Sequence, residues 1–219
     1  MSKGTALIVG VGPGLGLAIA EAFARDGHPV AVFGRDADRL GKQTAELTGQ
    51  GFVAAAYRAD AGDPEDLRAA LDRAVDDLGA PEVLVYNAAV MQADTPTGLD
   101  AAAWTQALAV NVIGAVVAAR TVLPLLRDGR GSLLFTGGGF ALQPSPEYTT
   151  MSVGKAALRA YVQALHEDQR GSGVHVSTVT VAGNIGGEDP RFAPDVLAAA
   201  YLDLHHQPQD QWQAELVHA

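Results

Sequence analysis

Thr5-Ala-Leu-Ile-Val9 leads without a break into Gly10-Val-Gly12-Pro-Gly14-Leu-Gly16, after which Leu15, Ile19 and Phe23 recur four residues apart and Gly27 stands where that period stops. A short apolar run, a glycine turn and a four-residue apolar period together read as strand, turn and helix. In an α/β sheet, ligands gather at the carboxyl ends of the strands, where the first strand–helix turn offers free backbone N–H groups. Glycines there let the backbone approach a pyrophosphate, and the helix N-terminus stabilises its negative charge. Glycine spacing alone is weak evidence; its place after a first strand and before a helix gives it meaning. A tight glycine turn with no ligand is the alternative.

Outward from that turn the same alternation continues. Pro29 to Phe33 reads as a second strand, and Phe52 to Tyr57 as a weaker third that leads to Asp60. Asp63-Pro64-Glu65-Asp66 is a helix start, with a capping Asp, Pro at the first position and acids in the positive first turn. Leu67, Leu71, Val75 and Leu78 carry the buried face of that helix, and Gly79 ends it. Val83 to Tyr86, Ser132 to Thr136 and Val174 to Val181 are three further strands, separated by helical periods around 101–127 and 146–170. For the second period, Ser145 is the expected cap, Pro146 the first position and Gly171 the stop. The tail from Glu188 onward predicts a short helix and an edge strand near Trp212 to Val217. This β-α-β-α order predicts a single α/β domain over residues 1–219, a doubly wound, Rossmann-type parallel sheet with helices on both faces. Residues 1–100 form mainly the dinucleotide-binding half, and 101–219 the catalytic, substrate and interface half.

Composition narrows the function classes. The 219 residues are 48% hydrophobic and 18% charged, as in globular proteins. Cysteine is absent, which excludes disulfides, thiolate metal sites and cysteine catalysis. Lys and Arg total 15 against 25 Asp and Glu, a formal charge of −10 that argues against a nucleic-acid surface. No metal site is expected, since the six histidines lack ligand spacing and the adjacent His205 and His206 point apart. Met1-Ser2-Lys3 enters the first strand with no room for a targeting region, so the expected location is the cytoplasm. Ala107 to Leu126 has the length of a membrane span but contains Asn111, Arg120 and Pro124, which favours a core or subunit interface over a membrane.

The end of the second strand selects the ribose. An acid there accepts from the 2′-hydroxyl of NAD, whereas an Arg pairs with the 2′-phosphate of NADP. Gly34-Arg35-Asp36 puts a cation near that place, so NADP(H) is favoured over NAD(H). An Arg35 paired instead with Asp36 or Asp38 is the plainer alternative.

From Thr5 to Gly187 the chain resembles the short-chain dehydrogenase/reductase family. Gly10, Gly14 and Gly16 match its G-x-x-x-G-x-G turn, and Asp60-Ala61 looks like its adenine-contacting Asp and small residue. Leu84-Val85-Tyr86-Asn87-Ala88-Ala89 is similar to its L-V-N-N-A-G, and Ala182-Gly183 resembles its P-G turn. Asn111, followed by Val112 and Gly114, matches the Asn that anchors a proton-relay water; Lys155-Ala156-Ala157 matches the Lys that holds the nicotinamide ribose. The resemblance implies cofactor contacts by Gly10, Gly14, Leu15, Gly16, Arg35, Asp60, Ala61, Asn87, Ala88, Lys155 and Ile185. It also implies a small-molecule substrate, and a homodimer or homotetramer joined through helices around 107–126 and 146–170.

The resemblance breaks at the catalytic set. The family has Y-x-x-x-K with a Ser thirteen positions before the Tyr; counting back from Lys155 gives Met151 and then Gly138. Asn111 and Lys155 remain, and Tyr148 is the candidate replacement. It lies seven residues before Lys155, about 20° from the same helix face, but about 10 Å along the axis against about 6 Å for Met151. Thr136 and the Gly137-Gly138-Gly139 run offer bare backbone N–H groups for an oxyanion-type site, or simply a flexible turn. Lys155 is a proton donor if burial lowers its pKa, and otherwise a ribose ligand. The region Ala193 to Leu204 is short for the family's lid, which implies a more open pocket. Three functions fit: an NADP(H)-dependent oxidoreductase with an altered catalytic set, an inactive nucleotide-binding partner or sensor, and a non-redox enzyme on the same scaffold.

Overall fold

The computed structural model describes residues 3–126 and 131–219. Seven parallel strands form one sheet in the order β3-β2-β1-β4-β5-β6-β7. They are β1 (Thr5–Val9), β2 (Val30–Gly34), β3 (Ala54–Arg58), β4 (Pro81–Tyr86), β5 (Gly131–Gly138), β6 (Val174–Val181) and β7 (Glu215–His218). The helices are α1 (Leu15–Arg25), α2 (Ala37–Gly49), α3 (Pro64–Leu78), α4 (Ala101–Leu108), α5 (Gly114–Val122), α6 (Thr149–Asp168) and α7 (Pro194–His206).

Alternation along β1 assigns the two faces. Leu7 and Val9 point to a core shared with α3, α5 and α6, where Leu67, Leu71, Ala118 and Leu158 are buried. Ala6 and Ile8 point to the opposite core, filled by Ile19 and Phe23 of α1, Leu40 of α2 and Leu197 and Tyr201 of α7. Both faces are covered, which is why the inner strands are near-continuous apolar runs. The order reverses between β1 and β4, with Val9 opposite both Phe33 and Tyr86, so a crevice opens beyond the carboxyl ends of these strands.

Several expectations are refined. β5 reaches Gly138, two residues past Thr136, because all eight of its residues pair with β6. The apolar period near 101–127 is α4, a π turn at Ala109–Ile113, α5 and a 3₁₀ turn at Leu123–Leu125; residue 127 lies outside the described residues. Ala101–Leu125 is long and apolar enough to cross a membrane, yet Ala115, Ala118, Ala119 and Val122 pack into the core beside α3. The tail forms α7 and the parallel edge strand β7; Trp212 precedes β7 and stacks on His175 at 4.9 Å.

The expected start of α6 is wrong. Ser145 does not cap it and Pro146 is not its first residue; the helix begins at Thr149. Its first amides are satisfied by Asp94, whose carboxylate accepts from the backbone N–H of Thr149, the backbone N–H of Thr150 at 3.2 Å and the Thr150 hydroxyl. Asp94 also forms a parallel bridge with Tyr148, through Asp94 N–H to the Glu147 carbonyl at 2.9 Å. The capping group comes from a distant loop.

Candidate functional site

A cavity of about 1230 Å³ lies in the crevice where the strand order reverses. Its floor is the glycine turn. Gly10 has φ +94°, and a Cβ there would sit 2.3 Å from the backbone nitrogen of Ala88, so only glycine fits. A Cβ on Gly16 would fall 2.5 Å from the Gly10 carbonyl oxygen, which lets α1 pack directly on the turn. Gly12 and Gly14, by contrast, have nothing within 4 Å of a built Cβ and face open space.

The helix starts tell the same story. Asp36, Asp63 and Asp100 each cap their helices, α2, α3 and α4, with a side-chain carboxylate. The N-cap of α1 is Gly14, which offers no side-chain cap, and the first turn holds no acid. An uncapped helix start beside bare glycines, opening onto a cavity, fits the pyrophosphate of a dinucleotide.

At the ends of β2 and β3, Arg35, Asp60 and Ala61 line the cavity. Asp36 does not pair with Arg35. It accepts from the backbone N–H of Arg39 at 3.0 Å and pairs with the Arg39 guanidinium at 3.2 Å, and among the described residues Arg35 has no ion pair. Arg39 also lines the cavity. Sequence reading passed over it, although it lies four residues after Arg35 in the first turn of α2.

At the other end, a buried hydrogen-bond chain joins four elements. Asn87 donates to the Gly10 carbonyl at 2.8 Å and accepts from the Thr136 hydroxyl at 2.9 Å. Thr136 spends its only proton there, so the Tyr201 hydroxyl, 2.7 Å away, donates to Thr136. Lys155 Nζ donates to the Thr136 carbonyl at 2.6 Å. Lys155 is buried, and desolvation without a carboxylate partner lowers its pKa to about 8. The place of Tyr201 was not legible in the sequence, because α7 reaches Thr136 only through the tertiary fold.

The two altered positions flank Lys155. Gly138 is extended, and a Cβ there would lie 3.5–3.7 Å from the Lys155 methylenes, an ordinary contact with room for a side chain. Met151, one turn before Lys155, is buried and lines the cavity. Ala88 and Ile185 also lie on the wall, as do Leu15 and Gly10.

Tyr148 and Asn111 are not among the lining residues. Tyr148 occupies the N-cap of α6 and stacks at 5.5 Å on Phe140, which itself lines the cavity. Asn111, in the π turn, uses both ends of its amide on Val90, accepting from its N–H at 2.8 Å and donating to its carbonyl at 3.1 Å. Its side chain fastens the segment after β4 and does not face the cavity.

Residues 4–185 match the family model for short chain dehydrogenases. The 2-(S)-hydroxypropyl-CoM dehydrogenase 3 of Xanthobacter autotrophicus is 32% identical over 173 residues, 78% of this chain and 68% of that protein. The 1-deoxy-11-beta-hydroxypentalenate dehydrogenase of Streptomyces exfoliatus is 34% identical over 181 residues, 80% of this chain and 65% of that one. The chain thus spans about two thirds of the length of these relatives. A solved short chain dehydrogenase of Burkholderia cenocepacia, in complex with NADP, has a TM-score of 0.87 at 27% identity, covering 97% of this chain and 94% of that one. From the strand order, the glycine turn and a family match over most of its length, the chain belongs to the short-chain dehydrogenase family.

Proposed function

We propose that this protein is an NADP(H)-dependent oxidoreductase that moves a hydride between the cofactor and a small-molecule substrate, in a site built without the family's Tyr and Ser. The observation that carries this is the cofactor half of the cavity, with its uncapped α1, open Gly12 and Gly14 and an Arg35 that has no ion pair among the described residues. The solved NADP complex of similar fold supports the same cofactor.

When bound, the dihydronicotinamide supplies the hydride. The chain's residues bind and orient it. Gly10, Gly14, Leu15 and Gly16 hold the pyrophosphate, Asp60 and Ala61 the adenine, and Arg35 the 2′-phosphate. Asn87, Ala88, Lys155 and Ile185 line the nicotinamide end. Asn111 is a positioning residue that holds Val90, and Tyr148, stacked on Phe140 and outside the cavity lining, receives no catalytic role. Met91, Leu142 and Met151 make the substrate wall apolar, which favours an activated, uncharged acceptor such as an enone, an imine or a quinone-like carbonyl.

Exposed Ile113 beside α5 and Val153 of α6 continue the apolar surface of the two helices assigned to subunit contact. A homodimer or homotetramer follows, acting on its substrate in the cytoplasm. Light scattering on the purified protein reads the assembly directly; a monomer at micromolar concentration would refute it.

Calorimetric titration tests the function. Micromolar NADPH binding with at least tenfold weaker NADH binding is expected from a 2′-phosphate–arginine contact worth about 1.4 kcal/mol or more. NADPH binding without reduction of any acceptor would leave the inactive nucleotide-binding reading in its place, for which the double change at Gly138 and Met151 speaks; absence of binding by either nucleotide would overturn both and leave a partner or scaffold role.

A further inference from the structure

The proposed reduction of a carbonyl needs a proton as well as a hydride, and the usual donor is absent. Among the described residues that line the cavity, the charged ones are Arg35, Asp36, Arg39, Asp60 and Lys155. The first four follow β2 and β3, whereas Lys155 stands beside β5, about 14–19 Å away across three to four strand spacings. Among the described residues, the only lining hydroxyl is that of Thr136, whose proton is committed to Asn87 at 2.9 Å. Tyr201 is the other titratable group of this network besides Lys155; its hydroxyl is spent on Thr136, and burial pushes its pKa upward. Lys155 Nζ makes one hydrogen bond among the described residues, to the Thr136 carbonyl, so two of its three N–H groups are uncommitted. Gly138 places no side chain between the Lys155 methylenes and the cavity.

We propose that Lys155 is itself the general acid of this site, donating a proton from Nζ to the substrate oxygen while the Thr136 carbonyl holds the amine in place. The proposal rests on the oxidoreductase reading above. In the reduction, the C4–H bond of the dihydronicotinamide breaks and a C–H bond forms at the carbonyl carbon. One Nζ–H bond breaks and an O–H bond forms at the carbonyl oxygen. NADPH is oxidised to NADP⁺, the carbonyl is reduced to an alcohol, and the neutral amine regains a proton from water. A lysine with its pKa lowered to about 8 by burial gives up that proton more readily than an ordinary one.

Two hydride acceptors separate proton transfer from hydride transfer. Trifluoroacetophenone needs both; N-methylacridinium, already cationic, needs the hydride alone. Lys155→Arg keeps a cation on the Thr136 carbonyl but cannot deprotonate near neutral pH. At saturating NADPH, the ratio of ketone to acridinium reduction is expected to fall by about 10²–10⁴ in Lys155→Arg, so that any general loss from altered ribose binding cancels. The chain has only three lysines, Lys3, Lys42 and Lys155. A ¹³Cε-lysine titration of the free protein, assigned by the line missing from Lys155→Arg, therefore reads the Lys155 midpoint directly. It is expected near 8, well below the ordinary value of about 10.4. An unchanged ratio, or a midpoint at the ordinary value, overturns the assignment while leaving the oxidoreductase reading intact. Reduction of neither acceptor by the wild-type protein overturns that reading and the proposal with it.

Discussion

A hydroxyl-bearing side chain would find room at position 138, because the backbone there is extended and a Cβ meets the Lys155 methylenes at no less than 3.5 Å. Gly138→Ser combined with Met151→Tyr should therefore restore a proton-donating pair beside Lys155. NADPH-dependent reduction of trifluoroacetophenone should rise by about 10²-fold over the parent. A double variant that still binds NADPH but gains nothing would place the difference in the substrate wall of Met91 and Leu142. Arg35 offers the complementary case. Arg35→Ala should weaken NADPH about tenfold or more and leave NADH nearly unchanged, read by titration of both nucleotides. Positions 138 and 151 were legible by counting from Lys155, since the spacing of a helix and the strand before it is nearly rigid. What Asn111 and Tyr148 touch was not legible. Counting places a residue on a helix face, but whether its polar group is already spent on Val90, or its ring stacked on Phe140, depends on how loops outside the helix fold back onto it.

At the scale of elements, caps show how far local reading reaches. The Asp63 carboxylate accepts from the N–H groups of Glu65 and Asp66, all within three residues, and the start of α3 was therefore visible in the sequence. α6 has no such neighbour. Its cap is Asp94, buried and more than fifty residues earlier, so Ser145 and Pro146 gave a false start three residues too soon. Asp94→Ala should cost about 1–2 kcal/mol or more, because it removes the cap and leaves the Thr150 hydroxyl and two amides unpaired. Chemical denaturation measures that loss. Since α6 carries both Met151 and Lys155, NADPH affinity should fall as well, and Asp94→Asn should recover part of both. A variant with lowered stability and full NADPH affinity would show that the cap does not position the site.

Across the whole molecule, the two ends of the sheet do different work. The carboxyl ends open the cavity; the amino ends of β1, β4 and β5 close on a buried polar cluster of His28, His205, Glu82 and Ser132. His205 Nδ1 lies 2.9 Å from the Ser132 hydroxyl and its Nε2 3.9 Å from Glu82, while His28 Nδ1 donates to the Gly4 carbonyl at 2.7 Å. Asp26, Lys3 and His206 face the same cluster from the surface. Burial, with help from the neighbouring histidines, lowers the pKa of His205 to about 4, and burial likewise lowers that of His28. Both rings are therefore neutral in the folded chain at pH 7. An unfolded His takes its proton near pH 6.5, so the unfolded state binds more protons below that pH and folding stability falls with it. For His205 the loss begins near pH 6.5 and is complete near pH 4, amounting to about 3 kcal/mol. Asp26, whose carboxyl is held below its ordinary value by Lys3 and His206 despite burial, adds its own loss at the acid end. Melting temperature followed from pH 7.5 to 4 should decline steeply across this window. His205→Gln should start from a lower value at pH 7.5 and decline less. Equal slopes for the two proteins would mean that His205 does not carry the acid sensitivity. The site at the opposite end has no histidine among its described lining residues, so any loss of NADPH affinity beyond that from protonation of the 2′-phosphate near pH ~6 should track the loss of the fold itself.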